Sequence, residues 1–354
     1  MKKLALLLGS LLVVGVTAQA KEVIVAPVEE SKEVVVVAEP VVEEVVVVEE
    51  PAFRPSGYVG LEYRAYGATE GSEPEDIDGW NSENNKRARL QTSAGIELTE
   101  RSSLAIRVRD YSQLNGHGKG ERGTETRLQY FYRHTDSLTS KVQYRDEENN
   151  SQNLEYKLIY NAYQNDGGLF ELVTLEPKLY HSMPANNGGN YYNRAGLDIG
   201  YVGNLPLGFT FDGMVYLNYT MYNEDQAVEL DGGNIKYEDK EFSAAWEFYL
   251  RRKVALYSTD RYNVDFNFEG GYDPYDWSEY KRFGFDKDTL KAGDDAAYSL
   301  YTTLTVSVNY ELTPAVSLNG GVGAEYRNWD DTEQSSASNW RWQPLAYVGM
   351  RAKF

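Results

Sequence analysis

The chain has 354 residues with 54 acidic against 35 basic side chains, a formal net charge of −19, no cysteine, and 29 Tyr against 12 Phe. The acidity argues against a nucleic-acid partner, and the lack of cysteine excludes disulfides and thiolate metal sites. Bulk hydropathy does not separate a soluble protein from a transmembrane barrel, because half of every barrel strand faces water; the excess of tyrosine, apolar in its ring and polar at its tip, suits the interfacial girdles of a barrel.

Lys2 and Lys3 precede an apolar run from Leu4 to Val16 and then Ala18-Gln19-Ala20, the three-region layout of a secretory signal over residues 1–20 with cleavage expected after Ala20. That run is too short for a membrane helix, and no later stretch offers about 20 consecutive apolar residues. Residues 21–55 repeat one theme, Lys32-Glu33-Val34-Val35-Val36-Val37-Ala38-Glu39-Pro40 and then Glu43-Glu44-Val45-Val46-Val47-Val48-Glu49-Glu50-Pro51. Proline opposes both helix and paired sheet and the glutamates repel one another, so an extended acidic periplasmic linker is expected, read as a solvated spacer, with a tether to cell wall or a neighbouring protein as the alternative.

From Ser56 to Phe354 the period is two, which predicts an all-β fold, a transmembrane antiparallel up-and-down β-barrel. Val59, Leu61, Tyr63 and Ala65 alternate with Gly60, Glu62 and Arg64; Leu90, Thr92, Ala94 and Ile96 alternate with Arg89, Gln91, Ser93 and Gly95. The same two-faced pattern runs through Leu104 to Arg109, Arg127 to Arg133, Lys141 to Arg145 and Leu154 to Tyr160. Later strands are expected near 170–180, 192–202, 207–219, 237–250, 262–271, 297–310, 315–328 and 343–354, giving about 14 in all. Pro177 weakens one of these, and residues 251–261 read either as more strand or as a long turn, so 16 strands is a second solution.

The connections alternate in length. Those at 67–87, 112–125, 146–152, 181–191, 220–236, 272–296 and 329–342 are mostly long, whereas Thr99 to Ser102, Thr135 to Ser137, Gly203 to Pro206 and Glu311 to Pro314 are tight. Barrels of this class have short periplasmic turns and long outer loops, which puts both termini in the periplasm and the protein in the outer membrane. The last strand keeps Ala346, Val348, Met350 and Ala352 on one parity and ends on Phe354, expected to be the C-terminal assembly signal.

Charge decides which parity faces lipid, since an Arg or Lys on the lipid face near the midplane costs roughly 2–4 kcal/mol. Arg64, Arg89, Arg107, Arg109, Arg127, Arg133, Lys141 and Arg145 must therefore point inward as pore-lining basic residues. Asp198, Asp212, Glu247, Asp265 and Glu325 share the inward parity of later strands as pore-lining acidic residues. A barrel wider than eight strands with so charged an inner wall implies a water-filled lumen, and a hydrated lumen across a membrane is a channel. Strand order equals position around the wall, so the reading predicts a positive arc facing a negative one and a transverse field between them.

No catalytic constellation emerges around His117, His134 or His181, so an enzyme is not expected. Gly116-His117-Gly118-Lys119-Gly120 lacks the strand and helix that frame a phosphate loop. The acidic stretches Asp146-Glu147-Glu148 and Glu70 to Asp76 lack Ca²⁺-ligand spacing, and no metal or cofactor is implied. Trp80, Trp277, Trp329 and Trp340 read as anchors at the outer interface or as contacts for another cell.

The leader Met1-Lys2-Lys3-Leu4-Ala5-Leu6, the Lys21-Glu22-Val23 start, the Glu/Val/Pro spacer, Arg54-Pro55-Ser56-Gly57, Arg89-Leu90-Gln91-Thr92 and the terminal Phe354 resemble the major outer-membrane porins of fusobacteria. The resemblance implies a general diffusion channel for small hydrophilic solutes, a homotrimer, and a role in adhesion to cell-surface partners, for which the barrel would alternatively be a mere platform. Outer-membrane lipid, lipopolysaccharide and the barrel assembly machinery are the remaining expected partners.

Overall fold

The computed structural model describes residues 53–70, 87–114, 123–147, 151–184, 191–230, 234–279, 300–328 and 340–354. The expected signal segment 1–20, most of the linker, His117, Trp80 and Trp329 lie outside the described residues. Among the described residues the chain forms β1 (Ser56–Tyr66), β2 (Arg87–Thr99), β3 (Ser102–Gln113), β4 (Gly123–Arg133), β5 (Leu138–Glu147), β6 (Ser151–Gln164) and β7 (Phe170–Pro184). There follow β8 (Tyr192–Leu205), β9 (Phe209–Leu230), β10 (Asn234–Ser258), β11 (Tyr262–Ser278), β12 (Leu300–Thr313), β13 (Val316–Asn328) and β14 (Trp340–Lys353).

Each strand pairs antiparallel with its chain neighbours, and β1 pairs with β14 from Tyr58↔Lys353 to Tyr66↔Leu345, so the sheet closes into a barrel of 14 strands. Closure removes the edges of the barrel wall, and the β9–β10 hairpin runs past its neighbours, β9 pairing with β8 as far as Tyr222 and β10 with β11 from Ser243. Residues 251–258 continue β10 and only 259–261 turn, which settles the count against 16. Two segments expected as loop are strand instead: β9 runs on to Leu230 and meets β10 from Asn234, and β11 runs on to Ser278. Their polar residues hide the alternation, but the ladder continues through them.

Pro177 is accommodated on one side only. The β7–β8 ladder passes straight through Pro177↔Leu197, while the β6–β7 ladder lapses between Lys157↔Lys178 and Tyr160↔Leu175, as expected for a residue with no N–H to donate.

The tight end of the barrel is built on threonine. Thr99 Oγ1 accepts from the backbone N–H of Arg101 and Ser102, Thr259 Oγ1 from Arg261 and Tyr262, and Thr313 Oγ1 from Ala315 and Val316, all at 3.0–3.3 Å. A hydroxyl that bonds its own chain two and three residues on replaces ladder bonds lost at the reversal, which lets two or three residues turn a hairpin. The β8–β9 turn differs: Pro206–Gly208 form a single 3₁₀ turn in which Leu207 sits at φ 68°, the left-handed region, with its side chain 78% exposed.

Both ends of the barrel sheet lie at this tight end. Gly57 N–H donates to the Phe354 carbonyl at 2.9 Å and Phe354 N–H to the Gly57 carbonyl at 3.0 Å, completing the seam.

The outward parity is apolar and exposed: Leu61, Leu90, Leu128, Val142, Leu154, Leu179, Val306, Val322 and Val348 all lie open on it. Aromatic side chains flank the band at both ends. Tyr326 stacks with Trp340 and Trp342 at the loop end, and Tyr257 stacks on Tyr262 beside the 259–261 turn. Water does not solvate such a surface well; a hydrocarbon layer between two polar interfaces does.

Candidate functional site: the barrel interior

Two observations identify the inner face. Lys157 on β6 reaches across β7 to Asp198 on β8, Nζ to Oδ2 2.6 Å, a span that a concave surface shortens. A cavity of about 340 Å³ is bordered by Arg64 of β1, Lys253 of β10 and residues of β11, β12 and β14. From these anchors the cross-strand register carries one parity around the ring: Arg64↔Arg89, Gln91↔Arg109, Arg107↔Arg127, Arg127↔Arg145, Lys141↔Lys157, Lys178↔Gly196, Asp198↔Tyr216, Tyr249↔Asp212, Arg251↔Glu269 and Thr303↔Glu325.

The interior has two characters. Across β3 to β8 it is a packed ionic wall. Glu125 collects Arg107 at 2.5 Å, Arg127 and Arg145 at 3.4 Å and Arg109 at 3.9 Å; Arg145 also contacts Glu147. One rung on, Gln129 donates to Gln143 at 2.7 Å, and Lys141 meets Glu155 at 2.7 Å. Lys157 bridges Glu176 and Asp198, while Lys178 takes the other Asp198 oxygen at 2.6 Å and lies over the Tyr216 ring. Asp198 is 1% exposed, so this last group is closed to solvent.

Across β10 to β14 and β1 the wall is open. Asn267, Thr303, Thr305, Ser307 and Asn309 present small amide and hydroxyl groups to the cavity. Some of its charges stand in that space, Lys253 62% exposed beside the buried Asp265, and Arg251 and Glu269 each about 40% exposed and 2.6 Å apart. The bulky tyrosines of this half lie flat against the sheet, because Tyr301 faces Gly271 and Tyr347 faces Gly321 across the ladder, where any Cβ would meet the ring at 2.7 Å. A ring laid over a glycine covers bare backbone and leaves the interior clear.

Among the sequence-predicted residues, the register puts Arg64, Arg89, Arg107, Arg109, Arg127, Lys141 and Arg145 on the inward parity, and with them Asp198, Asp212, Glu247, Asp265 and Glu325. Arg133 shares that parity but belongs to the rim: it is exposed, and its Nη2 donates to the Glu100 carbonyl of the β2–β3 turn at 2.6 Å. The expected negative arc needs correction. Asp212 contacts Arg251, Asp265 meets Lys253 at 2.9 Å, Glu325 meets Arg327 at 2.7 Å, and Glu247 accepts from Tyr216 and Tyr249, so the later strands carry mixed, paired charge. The expected pore-lining set left out Glu62, which has the parity of Arg64 in the sequence, and Glu125, Lys178, Arg251, Lys253 and Arg327, which share the inward parity of their strands.

The two described histidines have ordinary polar partners. His134 Nε2 lies 3.0 Å from Ser140 Oγ, a pair that sequence spacing did not suggest, and His181 Nδ1 lies 2.8 Å from Asn193 Oδ1.

No protein-family model matches the chain, and no curated protein matches it. The fusobacterial resemblance therefore rests on its motifs alone. Solved structures similar to this chain include a bacterial polysaccharide outer membrane secretin (12% identity, TM-score 0.42, 84% of this chain and 98% of that one). Others are an anion-selective porin from Comamonas acidovorans (10%, 0.33, 85% and 99%) and the trimer form of OmpT from Vibrio cholerae (11%, 0.36, 85% and 99%).

Proposed function

We propose that this protein is an outer-membrane porin through which small hydrophilic solutes and ions diffuse passively along a water-filled lumen. The observation that carries the reading is the pairing of an apolar, aromatic-flanked exterior with an inner wall of charged, amide and hydroxyl groups in a closed ring of 14 strands. Burying that exterior in lipid removes its contact with water, and the polar interior then has water as its natural filling. The tight turns and both ends of the barrel face the periplasm, with the leader 1–20 removed on export and residues 21–55 as an acidic spacer. Phe354 is the residue offered to the assembly machinery; lipopolysaccharide surrounds the outer rim, and the working unit is a homotrimer of the fusobacterial porin type.

Reconstitution in planar bilayers tests the reading. Stepwise ohmic conductance from protein whose gel mobility shifts on heating in detergent is the expected result; folded protein that passes no ions would sink it.

A further inference from the structure

We propose that the arginine cluster of β3 to β5 is a discrete binding site for a small divalent oxyanion, a phosphate or a dicarboxylate. The register sets Arg107, Arg127 and Arg145 abreast on three consecutive strands, with Arg109 on the adjacent rung opposite Glu125. Like charges directly opposite one another in a sheet repel, and three in a row is an arrangement that a fold alone gains nothing from keeping. Among the described residues the carboxylates in contact do not balance it: four guanidiniums share Glu125 and Glu147, which leaves two positive charges over.

Hydrogen bonding is short as well. Among the described residues, Nε of Arg107, Arg127 and Arg145 is buried with no hydrogen-bond acceptor, as it is on Arg64 and Arg89 of the neighbouring strands, and in this group Glu125 has only two oxygens for four guanidiniums. The side chains are reachable, since each guanidinium-bearing side chain keeps between 23% and 34% of its surface open to the interior. Planar forks that converge on one point suit an oxyanion with several acceptor oxygens, and two surplus positive charges suit a dianion better than a monoanion. The neighbouring row Gln129–Gln143 adds amide groups and no competing charge. The lysine group around Asp198 offers no such site, because its charges are mutually satisfied and closed off. The site deepens the porin reading, on which its role as a station along a solute path rests.

Calorimetric titration of the full barrel folded in detergent tests the site without requiring conduction. Inorganic phosphate, succinate and acetate are titrated separately at constant ionic strength in chloride. A saturable heat for phosphate or succinate, with acetate much weaker, supports the site and tells a tetrahedral ligand from a dicarboxylate. Arg127→Ala is expected to weaken binding by at least about tenfold, and Glu125→Gln, which removes the resident competitor, to strengthen it severalfold. Arg133→Ala at the rim is expected to change nothing. No saturable heat with either dianion, equal binding of acetate, or weaker binding in Glu125→Gln would overturn the proposal; the last result would mean that Glu125 organises the arginines structurally. Conducting protein that binds neither dianion keeps the porin and loses the site, whereas binding without conductance does the reverse.

Discussion

The two sides of the barrel interior are made from the same strand geometry and behave as different materials. Between β3 and β8 long charged side chains pair densely with one another, with arginine in surplus around Glu125; between β10 and β1 glycine, serine, threonine and asparagine keep the wall thin. Since both sides are mostly polar, what distinguishes them is side-chain length and how far each charge has left water. Charge that is buried must be matched within hydrogen-bonding distance, while charge that is wet can stand with a loose partner.

The largest effect should come from breaking the match on the packed side. Asp198→Ala removes the carboxylate that the buried Lys157 and Lys178 share, leaving Glu176 paired with Lys157, and should destabilise the barrel by about 3–5 kcal/mol, read as a fall in the heat or urea needed to convert the folded gel band. Glu269→Gln, which opens an equally short pair on the wet side, should cost below about 1 kcal/mol in the same assay. Equal costs for the two variants would erase the distinction.

Conductance should separate the sides in the opposite sense. Thr305→Trp places an indole in the open cavity and should roughly halve single-channel conductance, whereas Gln143→Trp in the packed wall should change conductance far less. A more local test is Gly321→Ala, whose methyl meets the Tyr347 ring; overpacking of about 1–3 kcal/mol or a ring swung into the cavity is expected, with lower conductance in the second case. The smallest effect lies outside the comparison and calibrates the stability scale: Leu207→Gly relieves a left-handed residue and should stabilise by about 1 kcal/mol in the unfolding assay.

Much of the fold was legible because a strand sorts its side chains by parity, and the cost of charge in hydrocarbon tells which parity is inside. That logic located Arg107, Arg127 and Asp198 on one face without any structure. It did not reveal which charges meet, because mates such as Lys157 and Asp198 lie 41 positions apart and come together only once two turns have set the register of β6, β7 and β8. The supposed negative arc came from counting carboxylates without their partners; Arg251, Lys253 and Arg327 sit on the same parity and cancel it. The long hairpin of β9 and β10 was also missed, since its polar residues do not alternate with apolar ones.

The reciprocal bonds between Gly57 and Phe354 have a consequence for biogenesis. Until β14 exists, a nascent cylinder has raw flanks at β1 and β13 that would zip onto any neighbouring molecule. Closure therefore waits on β14, and the growing polypeptide stays an open ribbon until that strand is available to fasten the clasp.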